Sequence, residues 1–567
     1  MIRTLLLFLI LICLFAPVIS AQTVAQDKLS ASGRGGMVVS VHPLASQAGI
    51  QILREGGNAF DAAVAVGLAL QSVHPSAGNI GGGGFAVIHL ADGRQFTLDF
   101  RETAPGKATR DMFMADSMVQ NQASVFGALS VGVPGTIRGL EALRSRFGTQ
   151  SWSRLAEPAV RLAKAHRLTP SGARQLNASR ESLSRYPETA VIYVKDSSDG
   201  WQPGDTLFQP DLARTLERLR DRGPEDFYLG ETARFILQTM KKHGGWIGEA
   251  DLAGYQPVWR EPLKLPWRDL QLITMSLPSS GGMILAQTLH FLNATSPDSI
   301  GWNHPAFVHG LLTTWQLAYA DRSAWLGDPG FVTIPWDTLL SESYWRKRWS
   351  SIPSDRHPSS EEVGPGMISG YEPGETTHFG IVDSLGNAIS VTYTLNGGFG
   401  SCLVVDGAGF LLNNQMDDFA TRPGVGNLYG LIGSRANSIA PGKRMLSSMT
   451  PTIVLRNGKP WLIAGGPGGS RIPTGVSQVL INSILLDLSP HEAVNHPRIH
   501  YQWIPDEVIL EPGALPDSVI ARLKAWGWKV ADPQPFAYGR TKLIRLEGGT
   551  FSGSADHRGG GAAIPVR

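Results

Sequence analysis

The feature that most restricts how this 567-residue chain can fold lies at residue 376, where a loop-like stretch gives way to two β-rich runs. Residues 351–375 are dominated by Ser, Pro, Gly and acidic side chains, among them Gly364-Pro365-Gly366 and Glu372-Pro373-Gly374-Glu375, a composition that favours a mobile loop. Thr376 to Asp383 and Ala388 to Leu395 follow, separated by Ser384-Leu385-Gly386, a three-residue hairpin loop with glycine in third place. If Asp383 pairs with Asn387, stepping outward along both strands sets Thr376 opposite Thr394, unless a bulge shifts the pairing by one residue. Thr376, Thr394 and Asn396 then project together on a face whose other positions, such as His378, Gly380, Ser390 and Thr392, are mostly polar or small. Phe379, Ile381, Ile389, Val391, Tyr393 and Leu395 form the opposite, apolar face.

A threonine at such a junction has a chemical consequence. Its hydroxyl is a poor nucleophile near neutral pH and needs an adjacent base. An N-terminal threonine carries its own base, because an α-amino group titrates near pKa ~7.7 to 8.0 and is partly neutral at physiological pH. An intact chain has no such amine at Thr376, so cleavage of the Glu375-Thr376 bond is expected to be the activation step.

Other chemistries find little support. Lys plus Arg number 50 against 48 Asp plus Glu, with no long run of one sign, which argues against nucleic-acid binding. His491-Glu492 to His496 has one residue too many for a His-Glu-x-x-His zinc site, so no metal is implied. Gly442-Lys443-Arg444 lacks the Ser or Thr of a phosphate loop, and the glycines at 81–84 make no convincing dinucleotide fingerprint, so no nucleotide cofactor is implied. At the start, Arg3 precedes an apolar run from Leu5 to Phe15 and small residues around Ser20-Ala21, the pattern of a signal peptide over residues 1–21. An uncleaved anchor is the alternative, disfavoured because a spanning helix needs about 20 apolar residues. Removal of Cys13 with that segment leaves Cys402 alone and no internal disulfide, which suits a bacterial periplasm or exterior.

The first hundred residues alternate strand and helix. We expect a strand from Met37 to Val41, a helix from Leu44 to Arg54, a second helix from an Asp61 N-cap to Val73, and strands Phe85 to His89 and Gln95 to Asp99. Residues 140–350 read as amphipathic helices and loops without a repeat, and their chemistry is not legible. Length allows one very large domain or two ordinary ones.

Several motifs in order carry a resemblance. Thr376-Thr377-His378-Phe379-Gly380 with Thr392-Tyr393-Thr394-Leu395-Asn396, then Asn413 to Phe419, Pro423 to Gly430, Leu446-Ser447-Ser448-Met449 and Pro467-Gly468-Gly469-Ser470-Arg471, resemble the small subunit of γ-glutamyltransferases. Upstream, Asn79 to Phe85 and Asp99-Phe100-Arg101-Glu102 also match, and the resemblance spans roughly residues 35–560. It implies the four-layer αββα sandwich of N-terminal nucleophile hydrolases, an α/β fold, here one domain built from residues 22–375 and 376–567 as the two subunits of a heterodimer. It implies Thr376 as nucleophile and base, Thr394 as its orienting partner, and Gly468 and Gly469 as donors to the oxyanion. Arg101, Ser447 and Ser448 would hold the α-carboxylate of a γ-glutamyl group, and Asn396, Gln415 and Asp418 its α-ammonium. Pro423 to Ser434 corresponds to a lid with Tyr429 at its tip, which favours a glutathione-type enzyme over lid-less β-lactam acylases. The implied substrates are glutathione or related γ-glutamyl donors, with water, amino acids or peptides as acceptors, and no cofactor. Glu375 stands where relatives often carry a neutral polar residue, and Gly397-Gly398 is a permissive pair at the rim of the site.

Overall fold

The hairpin after residue 376 occupies the middle of a sheet. In the computed structural model, which describes residues 28–295, 301–363, 376–422, 425–535 and 539–566, β8 (Thr377–Asp383) and β9 (Ala388–Thr394) pair antiparallel. Their register runs from Thr377 opposite Tyr393 to Val382 opposite Ala388, as the loop chemistry predicts, with no bulge between them. Gly386 takes φ +93° in the turn, a region where a side chain would be strained. The signal-peptide segment, Glu375 with the rest of 364–375, and Pro423-Gly424 lie outside the described residues.

Two seven-stranded antiparallel sheets are built from strands β1 (Ser30–Gly33), β2 (Gly36–Ser40), β3 (Gly83–His89), β4 (Gln95–Asp99), β5 (Val258–Arg260), β6 (Leu263–Trp267), β7 (Leu270–Thr274), β8, β9, β10 (Thr452–Arg456), β11 (Lys459–Gly465), β12 (Lys542–Glu547), β13 (Thr550–Ala555) and β14 (Ala562–Pro565). The first sheet has the order β14-β2-β8-β9-β3-β4-β5 and the second β1-β13-β12-β11-β10-β7-β6.

The alternation of side chains in β8 and β9 sorts the layers. Phe379, Ile381, Ile389, Val391 and Tyr393 enter a core with α1 (Pro43–Arg54), α2 (Ala59–Val73), α3 (Thr136–Phe147) and α4 (Trp152–Lys164). The polar and small face does not meet water. It meets the second sheet, where Val382 and Ala388 pack with Ile453, Ile463 and Ile544, and Ser390 Oγ donates to the Ala464 carbonyl at 3.1 Å. On the far side of that sheet, Leu272, Val454 and Leu462 pack against α5 (Gly281–Thr295), α6 (Pro305–Trp325) and α7 (Ile472–Ile484). Helix, sheet, sheet and helix thus form the four-layer αββα sandwich. No helix among the described residues is long and apolar enough to cross a membrane.

One expected element start is corrected. α2 begins with Asn58 as N-cap, not Asp61: Asn58 Oδ1 accepts from the amides of Phe60 and Asp61, and Asp61 returns a bond to the Asn58 amide at 3.0 Å. This is a capping box, in which the acidic residue serves as the third helical residue.

Candidate active site

Thr376 stands at the inner end of β8, 3% exposed, with its Oγ1 3.4 Å from Thr394 Oγ1. Thr394 Oγ1 also accepts the Asn396 amide at 2.8 Å, which holds the chain as it leaves β9. Asn396 has φ +81°, in the left-handed region that non-glycine residues seldom adopt. The turn brings its side chain into a narrow cleft that it shares with Thr376 and Arg101.

Arg101, Thr376, Thr394, Asn396, Gln415, Asp418, Tyr429, Ser447, Ser448 and Gly469 all line that cleft, although they come from widely separated stretches of chain. Gly468, at φ +135°, directly precedes Gly469, at φ +55°, and a Cβ on Gly469 would lie 2.0 Å from the Tyr429 ring. Only glycine permits that approach. Glu375 falls outside the described residues.

Charge in the cleft is concentrated and largely buried. Arg101, 1% exposed, follows β4 and is aimed by its backbone: its amide donates to Asp99 Oδ1 at 2.9 Å and its carbonyl accepts from Tyr255 Oη at 2.8 Å. Its guanidinium pairs with Asp418 Oδ2. Asp418 also accepts from Gln415 Nε2 at 2.6 Å and Asn427 Nδ2 at 2.9 Å. Burial raises the Asp418 pKa, against the pull of Arg101 and Arg322. Behind Arg101, Glu102 is fully buried with neither carboxyl oxygen hydrogen-bonded, and burial pushes its pKa up to about 7.

Three polar atoms of the lining have no partner among the described residues: Asn396 Oδ1, Gln415 Oε1 and Ser448 Oγ. Each such buried atom costs roughly 1–3 kcal/mol, so three in one cleft argue for a bound group that satisfies them. With the amides as oriented, Asn396, Gln415 and Asp418 offer the cleft two amide oxygens and a carboxylate, and Ser448 and Arg101 offer it a hydroxyl and a guanidinium.

The 427–431 turn closes the cleft. Asn427 and Leu428 bond Asp418 and Asp417, the latter through the Leu428 amide at 2.7 Å. Tyr429 Oη donates to the Asn396 carbonyl at 2.6 Å. Asp417, which is buried, and Asp418, which is nearly so, anchor this turn. Sequence reading missed Arg322 on α6, which also lines the cleft. A lone Asp321-Arg322 pair inside the mostly apolar run 305–325 was the available signal.

Comparison with known proteins bears on this site. The family described as Gamma-glutamyltranspeptidase matches residues 45–566. A protein of Escherichia coli K12 named glutathione hydrolase proenzyme is 43% identical over 527 residues, covering 92% of this chain and 90% of its own. Cephalosporin acylase from Bacillus halodurans superposes with TM-score 0.81 at 25% identity, over 97% of this chain and 99% of that one. Gamma-glutamyltranspeptidase from Helicobacter pylori is 42% identical with TM-score 0.55, over 58% of this chain and 95% of that one. A match over nearly the whole length, at such identity and on this fold, makes the chain a member of the gamma-glutamyltranspeptidase family.

Proposed function

We propose that the chain is a self-processing γ-glutamyl hydrolase and transferase that is cut between Glu375 and Thr376 and then uses Thr376 as its nucleophile. One observation carries the reading: Thr376 Oγ1 shares a closed cleft with an arginine–aspartate pair and with three unsatisfied polar atoms. A γ-glutamyl head group offers the complement of that lining. Its α-ammonium supplies donors for Asn396 Oδ1, Gln415 Oε1 and Asp418, and its α-carboxylate accepts from Arg101, Ser447 and Ser448.

In this reading the free α-amine of Thr376 takes the Oγ1 proton as the oxygen attacks the γ-amide carbonyl. The backbone N–H groups of Gly468 and Gly469 stabilise the oxyanion. Collapse breaks the C–N bond, the leaving amine carries off the proton, and a γ-glutamyl ester on Thr376 remains. Water then releases glutamate, or the amine of an amino acid or peptide takes the acyl group. Thr394 orients the nucleophile. Glutathione is the expected donor, and residues 22–375 and 376–567 stay together as a heterodimer. Export by the 1–21 segment to the periplasm or exterior belongs to the same reading.

The test is intact mass and N-terminal sequencing of purified protein, with activity on a γ-glutamyl anilide. We expect two fragments, the shorter beginning at Thr376, while Thr376→Ala remains one inactive chain. An intact wild-type chain with full activity would refute the mechanism. Processed protein that acts on amides lacking a free α-amine and α-carboxylate would identify an acylase of the same fold instead.

A further inference from the structure

Arg322 is a buried cation with no direct ion pair among the described residues; Asp418 acts on it only from beyond ion-pair distance. It lies in the last turn of α6, 3% exposed, and lines the same cleft as Thr376 and Arg101. Its one side-chain hydrogen bond among the described residues runs from Nε to Ser280 Oγ, at 3.1 Å. No carboxylate of the described residues lies within 4.0 Å of it. Its chain neighbour Asp321 is already paired with Arg348, and Asp418 with Arg101. The C-terminal end of a helix favours a cation, but that effect is small beside the cost of taking a charge out of water. Burial pulls the Arg322 pKa down to about 10, so it stays charged at neutral pH.

Its position is tied to the serines of the cleft. Ser280 Oγ and the Ser280 amide both donate to the Ser447 carbonyl, at 2.9 and 2.8 Å. Arg322 is thus linked through Ser280 to the Ser447-Ser448 turn, and it lines the same cleft as Ser448, whose Oγ has no partner among the described residues. Arg101 is engaged by Asp418, whereas Arg322 has no ion pair among the described residues. An arriving carboxylate thus meets two guanidinium groups and displaces only one of them from an ion pair.

Resting on the γ-glutamyl reading, we infer that Arg322 is a second determinant of donor specificity, holding the α-carboxylate together with Arg101, whose guanidinium donates to the carbonyls of Met445 and Leu446 beside Ser447, both at 3.4 Å. When a zwitterionic head group binds, its ammonium takes over Asp418, and its carboxylate gives Arg322 a direct counter-charge. Arg322 touches neither the scissile carbonyl nor Thr376 in this role, so it governs which donors are accepted rather than the bond-breaking step.

The experiment measures kcat/KM of the processed, two-fragment enzyme for a γ-glutamyl anilide and for the same compound with its α-carboxylate converted to a neutral amide. The readout is the ratio of the two. A purely structural role would lower both values together and leave the ratio unchanged. Arg322→Gln is expected to lower the ratio about 10- to 100-fold, and Arg322→Lys about 3- to 10-fold, since an ammonium keeps the charge but loses the planar fork. A wild-type ratio in processed Arg322→Gln overturns the inference. If that variant does not fold, a wild-type ratio in Arg322→Lys overturns it equally. A wild-type enzyme that does not itself discriminate between the two donors would instead refute the γ-glutamyl reading, whatever Arg322 does.

Discussion

At the scale of single residues, the hydroxyl of Thr376 and the guanidinium of Arg101 make separable demands. Thr376→Ser keeps both the oxygen and the terminal amine, so it should still be cut and retain activity at a reduced rate, because loss of the methyl group loosens the aim of the oxygen. The check is fragment mass together with kcat; equally intact and equally dead Ser and Ala variants would remove the role given to the hydroxyl. Arg101→Ala should cost about 2–5 kcal/mol in binding the donor carboxylate, roughly 30-fold to several thousand-fold in kcat/KM. The structure adds a second effect. Asp418 loses its partner in the same variant, so its carboxyl, already raised by burial, rises further and holds an ammonium less well. Weaker discrimination at the carboxylate should therefore be accompanied by weaker discrimination at the α-amine, measured with a desamino donor. Arg101→Lys should recover part of the first effect. Self-cleavage should survive both changes, since it involves no substrate carboxylate.

At the scale of elements, the hairpin and the closing turn differ in how they could be foreseen. The β8–β9 register followed from a three-residue loop ending in glycine and from alternation, both local signals, and it placed Thr376 beside Thr394. The 427–431 turn is held from outside itself, by Asp417 and Asp418 of a preceding turn, and nothing local in the sequence distinguishes those carboxylates from solvated ones. Arg322 showed in the sequence only as half of a charged pair in an apolar run, because its meaning depends on which helix face meets the Ser447 turn. Burial pushes Asp417 up to about 7, so the folded state keeps its proton after the unfolded chain has released it. Between about pH 4 and 7 the native state then binds more protons than the unfolded state, and stability falls as pH rises, levelling off above the folded pKa. Glu102, also raised to about 7, adds a contribution of the same sign. Asp417→Asn has no proton to lose there. Its Tm relative to wild type should climb between about pH 5 and pH 7.5, and a parallel pair of Tm curves would show that Asp417 is ionised in the fold.

At the scale of the molecule, the proposed cut leaves two pieces that share every layer. β8 and β9 follow residue 376, yet they lie between β2 and β3, which precede it, and β10 to β13 likewise join β1, β6 and β7 in the second sheet. Neither piece owns a complete sheet or a complete core. The two should co-purify under native conditions and separate only in denaturant; fragments that part on a native sizing column would contradict this. Burial explains why the sandwich was only implied by resemblance, since β8 and β9 are buried on both faces and local alternation cannot say what covers each one. The interleaving also changes the order of the folding reaction. An uncut precursor folds as a first-order process, whereas the matured protein, once unfolded, must bring two chains together at a rate set by their concentration. Cleavage would thus turn an equilibrium into a one-way step at low concentration, so that the working protein persists by the slowness of its unfolding.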